Sequence, residues 1–186
     1  GVDLPSEQSG LIPTREYMKA NYEYRDKYGK WITGWAVGGT KANMGIGQGD
    51  VTATPLQIAV MTAAIANNGK LLTPRIATKI TDLKGNLIEQ KPTISTKIPV
   101  SQKNLEVIRE GMRQAVESGS ATLAKVKGVS TAGKTGTAEF VTSDGTTKEH
   151  AWFTGFAPFD SPEIVVTVYF DLGQGNLKAS PIAAAI

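Results

Sequence analysis

Hydrophobic positions change period along the chain, and the changes mark out its elements. Residues 13–29, "PTREYMKANYEYRDKYG", predict a polar, tyrosine-rich helix, with Pro13 where a helix can begin and Gly29 where one can stop. Residues 30–53 carry "GWAVGG" and "MGIGQGD", a glycine density that predicts ordered loop. The next start is sharper. Thr54 can cap, Pro55 suits the first turn and Gln57 completes a capping box, so a helix is expected to Asn68 with a stop at Gly69. Leu56, Ile58, Ala59, Val60, Met61, Ala63, Ala64 and Ile65 leave that helix almost no polar face, which places it inside a protein. Two short strands are expected in "LLTPRIATKI" and "NLIEQ", joined through Lys84-Gly85-Asn86. From Ser101 to Ser118 the period is helical again, with Leu105, Ile108, Met112 and Ala115 apolar and Lys103, Glu106, Arg109, Glu110 and Arg113 on a solvated face. The last third is strand-like. "AEFVT" leads to the hairpin signal Ser143-Asp144-Gly145, followed by "HAWFTGFAPF" and "EIVVTVYF", and short connections favour antiparallel neighbours. "SPIAAAI" opens a final helix.

Composition narrows the classes. The 186 residues suit one domain or part of one, and 40% hydrophobic with 20% charged residues is globular in character. A net charge of +3 without dense basic runs gives no nucleic-acid footprint. No cysteine and a single histidine exclude disulfides and thiolate metal sites and leave nothing to suggest a metal or cofactor. No apolar run reaches the length of a membrane span, and "GVDLPSEQSG" is not a signal peptide. The protein is then cytosolic, or its targeting region lies outside this sequence.

The candidate chemistry sits in "GVSTAGKTGTAEF", residues 128–140. Gly128, Gly133, Lys134 and Thr135 fit the G-x-x-x-x-G-K-[ST] pattern of a nucleotide-binding loop, and the same letters hold K-T-G-T. A phosphate loop needs a buried strand before it and a helix after it. Here "TLAKVK" interrupts any buried run, and Gly136, Thr137, Phe140, Val141 and Thr142 are poor helix material ahead of a turn. The context favours a strand. On a strand, Lys134 and Gly136 share one face and Thr135 and Thr137 the other. Gly136 removes bulk, so an extended peptide can lie along the backbone, while the Lys134 charge and the Thr137 hydroxyl suit a substrate carboxylate.

"GIGQGDVTATPLQIAVMTAAIANNGKLLTPRI" (residues 45–76), "AGKTGTAEF" (132–140) and "HAWFTGFAPF" (150–159) occur in the order and style of class B penicillin-binding proteins, and "GLIPTREYMK" fits as well. The resemblance spans essentially the whole chain. It implies an α+β fold, a sheet of five antiparallel strands covered by helices, incomplete here at both ends. It also implies a serine D,D-transpeptidase that cross-links peptidoglycan stem peptides through an acyl-serine and binds β-lactams, on the extracytoplasmic face of the bacterial membrane. A membrane anchor is expected only in the full-length protein.

The resemblance is incomplete in one respect. The family's nucleophile lies in S-x-x-K and a second motif is S-x-N; none of the chain's serines begins either. Residues 1–186 are therefore expected to be the C-terminal portion of a transpeptidase domain, inactive alone, that pairs with the upstream portion or self-associates. The resemblance implies that Lys134 binds the substrate carboxylate and tunes protonation near the serine. It implies further that Thr135, Gly136 and Thr137 meet substrate and that the Thr137 N–H is one of two oxyanion donors. Glu139, where family members often have glutamine, lies two residues on, on the Thr135 and Thr137 face, and the resemblance places it among the substrate-binding positions. "GIGQG" borders the active-site region by the same resemblance, or only turns the chain into the following helix. His150 is expected to be structural, and Trp152, Phe153 and Phe156 to be sheet core. A serine β-lactamase or a non-catalytic β-lactam sensor stays open, because only upstream sequence separates these from a transpeptidase.

Overall fold

A computed structural model describes Val2, residues 5–32 and residues 39–186. The chain forms two compact units, Ser9–Thr54 and the remainder.

The smaller unit begins with α1 (Arg15–Tyr22), whose N-terminus is capped by Thr14 Oγ1 accepting from Tyr17 N–H at 3.1 Å. The helix expected to run to Gly29 ends seven residues earlier. Asp26 intervenes: its Oδ1 accepts from the N–H groups of Tyr28 and Lys30, both at 2.9 Å, and bends the chain into a ribbon of β1 (Tyr24–Arg25) and β2 (Trp31–Ile32). The stretch expected to be all loop contains β2 and a short helix, α2 (Gly39–Gly45). Most of "GWAVGG" lies outside the described residues. After α2, Gly47 and Gly49 adopt φ of +74° and +76°, so "GIGQG" is a left-handed glycine turn.

The larger unit opens with α3 (Pro55–Ala66), which stops two residues short of Asn68 as the chain turns through Asn68 (φ +63°) and Gly69 (φ +88°). Beyond it lie two ribbons. β3 (Lys70–Leu72) pairs with β6 (Ser95–Lys97), and the expected hairpin forms from β4 (Lys79–Thr81) and β5 (Leu87–Gln90). The pairing of β3 with β6 was not legible in the sequence. Next comes α4 (Gln102–Glu117), capped by Ser101 Oγ on Asn104 N–H.

The buried stripe of α4 is not the expected one. Leu105, Arg109, Met112 and Val116 are buried, whereas Ile108 is 43% exposed. Arg109, expected on the solvated face, therefore lies in the core. Its Nη1 donates to Ala66 O and Asn68 Oδ1, and its Nη2 to Phe159 O at 2.6 Å. The guanidinium lies 5.4 and 5.3 Å from the Phe156 and Phe159 ring centres. Three acceptors and two aromatic faces replace the water that the charge gives up.

The main sheet is antiparallel, in the order β7 (Ala132–Val141), β8 (Thr147–Ala157), β9 (Ile164–Phe170). It has three strands among the described residues, against the five that the resemblance implies. Gly145 N–H donates to Thr142 O and Thr142 N–H to Thr146 O, both at 2.9 Å, with Gly145 at φ +80°. This is the three-residue hairpin loop that Ser143-Asp144-Gly145 predicts. Asp144 locks it by accepting from Thr146 N–H and from the hydroxyls of Thr142 and Thr146.

Helices cover both sheet faces. On one, Phe153 packs with Val116, Ala121, Ala124 and Ala179. On the other, Phe156 packs with Ala66, Met112 and Ala132. Phe153 and Phe156 are core as expected, while Trp152 is half-buried. After β9 the chain makes one π-helical turn, Gly175–Ala179, and enters the expected last helix, α5 (Ser180–Ala185). No helix among the described residues is long and apolar enough to cross a membrane.

Candidate functional site

Lys134, Thr135, Gly136, Thr137 and Glu139 all lie on β7, and no helix follows the lysine as a phosphate loop requires. Thr142 and Thr146 form a hydrogen-bonded pair, and such pairs alternate along an antiparallel ladder. Gly136 with Trp152 and Lys134 with Thr154 therefore turn their N–H and C=O groups towards each other. Those of Thr135, Thr137 and Glu139 turn outwards, to an edge that no strand pairs among the described residues. K-T-G-T thus presents an outer backbone edge of the kind an added peptide strand can use.

The side chains divide between the faces. Lys134 shares a face with Thr154 and Trp152, and its Nζ donates to the outward carbonyl of Thr135. Beneath Lys134 runs a chain of hydroxyls. Thr62 Oγ1 donates to Ile58 O at 2.9 Å and lies 2.8 Å from Thr154 Oγ1, itself 2.8 Å from Thr167 Oγ1. Since Thr62 spends its proton on Ile58, the proton of Thr154 is the one directed at Thr62. The relay ties α3 to both β8 and β9 at the level of Lys134.

Thr135 and Thr137 point to the opposite face, so the ammonium and the Thr137 hydroxyl, both suited to one carboxylate, flank an edge rather than share a surface. Each hydroxyl meets a neighbour that sequence reasoning did not single out. Thr135 Oγ1 lies 3.1 Å from Ser120 Oγ, and Thr137 Oγ1 accepts from Gly175 N–H at 3.4 Å. The sequence signal for Gly175 was its place in "GQGN", between the last strand and the last helix. Glu139 faces Glu149 directly across a non-hydrogen-bonded pair, the closely spaced kind, where like charges repel.

His150 lies four ladder positions beyond Thr154, away from Lys134. Its ring stacks on Phe140 at 4.1 Å, and its Nδ1 lies 2.8 Å from Asp171 O and 3.1 Å from the Tyr169 hydroxyl. Tyr169 donates to Asp171 Oδ1 at 2.7 Å. Burial, then the hydrogen bond to Asp171 and its charge, push the phenol up to about 12. Among the described residues no cluster of three or more His, Cys, Asp or Glu side chains is placed to hold a metal.

Comparison with known proteins gives a consistent family. The family described as "Penicillin binding protein transpeptidase domain" matches residues 1–186. The chain is 33% identical to peptidoglycan D,D-transpeptidase MrdA of Haemophilus influenzae, over 100% of this chain and 29% of that protein. It is 32% identical to the MrdA of Acinetobacter baumannii, over 100% of this chain and 28% of that protein. The chain thus spans under a third of the length of these relatives. Among solved structures, penicillin binding protein 3 of Mycobacterium tuberculosis, complexed with aztreonam, superimposes with a TM-score of 0.78 at 28% identity, covering 100% of this chain and 41% of that one. Penicillin-binding protein A of M. tuberculosis, in a ceftriaxone acyl-enzyme complex, gives 0.71 at 32% identity over 77% of this chain and 33% of that one.

Proposed function

The chain belongs to the penicillin-binding protein transpeptidase domain family, of α+β fold, and from that premise we propose that it is the C-terminal, substrate-binding portion of a peptidoglycan D,D-transpeptidase domain. The observation that carries this is the placement of K-T-G-T on an outer strand whose Thr135 and Thr137 backbone groups face away from the sheet. A stem peptide lies along that edge, its carboxylate held by the Lys134 ammonium and by threonine hydroxyls, and Gly136 keeps the approach clear. A serine outside these residues attacks the peptide carbonyl, its proton passes to the departing nitrogen, and the C-terminal residue of the stem peptide leaves as the free amino acid while the acyl-serine forms. The Thr137 N–H is one of the two donors at the developing oxyanion, and the amine of a second stem peptide then takes the acyl group from the serine. The part of the domain that bears the nucleophile is the partner this chain requires. The site of action is the extracytoplasmic face of the bacterial membrane, where stem peptides are cross-linked.

Intact-mass measurement after incubation with benzylpenicillin tests this reading. The 186-residue chain alone should gain no mass, because no serine has lysine three places on. The complete domain should gain one stable adduct, and Lys134→Ala should slow its formation by roughly one to two powers of ten, the loss of a charge-assisted contact. A stoichiometric adduct on a serine of this chain, or an unchanged rate in the mutant, would refute it. Rapid release of hydrolysed drug would instead identify a β-lactamase.

A further inference from the structure

The turn after β9 lies on the substrate strand. A Cβ placed on Gly175 would stand 2.4 Å from Gly136 O, 2.4 Å from Trp152 O and 3.0 Å from Gly136 N. These are backbone atoms of one hydrogen-bonded pair, and they cannot swing aside as a flexible side chain would. The side chain of Trp152 occupies the other face, against Gly136, so the face that Gly175 meets is bare backbone. Gly175 is buried there, and its N–H points at Thr137 Oγ1.

The segment around it is pinned on both sides. Gly173 N–H donates to Glu149 O at 2.9 Å, and His150 Nδ1 lies 2.8 Å from Asp171 O. Ser180, fully buried, donates its Oγ proton to Gly175 O at 3.3 Å. The position of Gly175 is thus set by β8 on one side and by the start of α5 on the other. A hydroxyl that accepts from this direction has its own proton to donate in another.

We propose that Gly175 is a positioning residue of the substrate strand: its missing side chain lets the 171–179 segment seat on the Gly136–Trp152 pair, and its N–H orients the Thr137 hydroxyl towards the substrate carboxylate. This rests on the reading above that Thr137 meets substrate. Adding a methyl group at Gly175 lifts the segment off the strand, and the hydroxyl loses its fixed acceptor role.

Acylation of the complete domain by benzylpenicillin and by its methyl ester, which lacks the carboxylate, tests the proposal. Thr137→Val should slow penicillin about tenfold, the worth of one hydrogen bond to a charged group, and should slow the ester much less. Gly175→Ala should show the same selectivity and add less than about twofold in a Thr137→Val background, because the two act through one hydroxyl. If Thr137→Val leaves the penicillin-to-ester ratio unchanged, the substrate reading of Thr137 fails and the proposal falls with it. If Thr137→Val shifts the ratio but Gly175→Ala slows both compounds alike or neither, the proposal alone is overturned. A second measurement does not depend on how Gly175→Ala folds. Amide exchange at Gly175 should accelerate in Thr137→Val and not in Thr137→Ser, and equal exchange in the two variants would also overturn it.

Discussion

Arg109 offers a test of how the core is held, because it is a buried cation that makes no ion pair among the described residues. It donates to Ala66 O and Asn68 Oδ1 at the end of α3, and to Phe159 O beyond β8. Replacing it with alanine leaves these three acceptors without their donor, at about 1–3 kcal/mol for each one that water does not reach. It also removes the cation from two aromatic faces and opens a gap beside Phe156. Against these losses stands the relief of a guanidinium returned to water, worth several kcal/mol. The balance should be a destabilisation of about 3–5 kcal/mol. Arg109→Lys keeps the charge but has one ammonium for acceptors on two elements, so it should recover only part of the loss. Arg113, four residues on, supplies the contrast. It bonds Glu110 at 2.7 Å and Glu117, on the open side of α4, where solvent screens ion pairs. Urea unfolding of the complete domain, with the wild-type protein, both Arg109 variants and Arg113→Ala compared by linear extrapolation, gives the ranking. The arginine without an acidic partner should matter more than the arginine with two. A greater loss for Arg113→Ala, or an Arg109→Ala protein within about 1 kcal/mol of wild type, would show that the core does not depend on this guanidinium.

Two further outcomes concern the β7–β8 hairpin. Hydrogen bonds from Thr142 and Thr146 hold the Asp144 carboxyl at about 2, below its ordinary value, so its contribution to hairpin order is present above about pH 4 and is lost as pH falls towards 2. Amide exchange at Thr146 should therefore gain protection relative to Asp144→Asn only above that window, and a constant difference down to pH 2 would contradict the assignment. Glu139→Gln removes one of two facing carboxylates and a negative charge two residues from Thr137, so acylation of the complete domain by anionic β-lactams should rise by less than about tenfold at low salt and less still at high salt. Slower acylation would mean that Glu139 makes a contact that holds the site in shape.

Much of the fold was legible because local signals and tertiary demands agreed. The helix expected from Ser101 forms as α4 with Ser101 as its cap, and the Ser143-Asp144-Gly145 turn sets the register of the β7–β8 ladder. The failures share a cause: in each, a contact made at a distance outweighed the local pattern. Arg109 looked solvated because its neighbours on the helix are charged, and its acceptors on α3 and after β8 lie 41 to 50 residues away in sequence. The pairing of β3 with β6 joins two segments separated by a complete hairpin: the strand expected in "LLTPRIATKI" is split into β3 and β4, and Ser95–Lys97 is too polar to announce a strand. The candidate site divides in the same way. Alternation placed Lys134 opposite in face to Thr135 and Thr137, but no periodicity could say which backbone groups face out. That follows from the hairpin turn, through the parity of the ladder: the closing pair Thr142–Thr146 lies five residues beyond Thr137 on β7 and five before its partner Ala151 on β8. A residue inserted between Thr137 and Thr142 with no bulge to absorb it would turn the Thr137 N–H inwards to β8 and leave the K-T-G-T letters unchanged. The motif therefore carries the chemistry only when the turn carries the register, and Ser143-Asp144-Gly145 belongs to the site as much as Lys134 does.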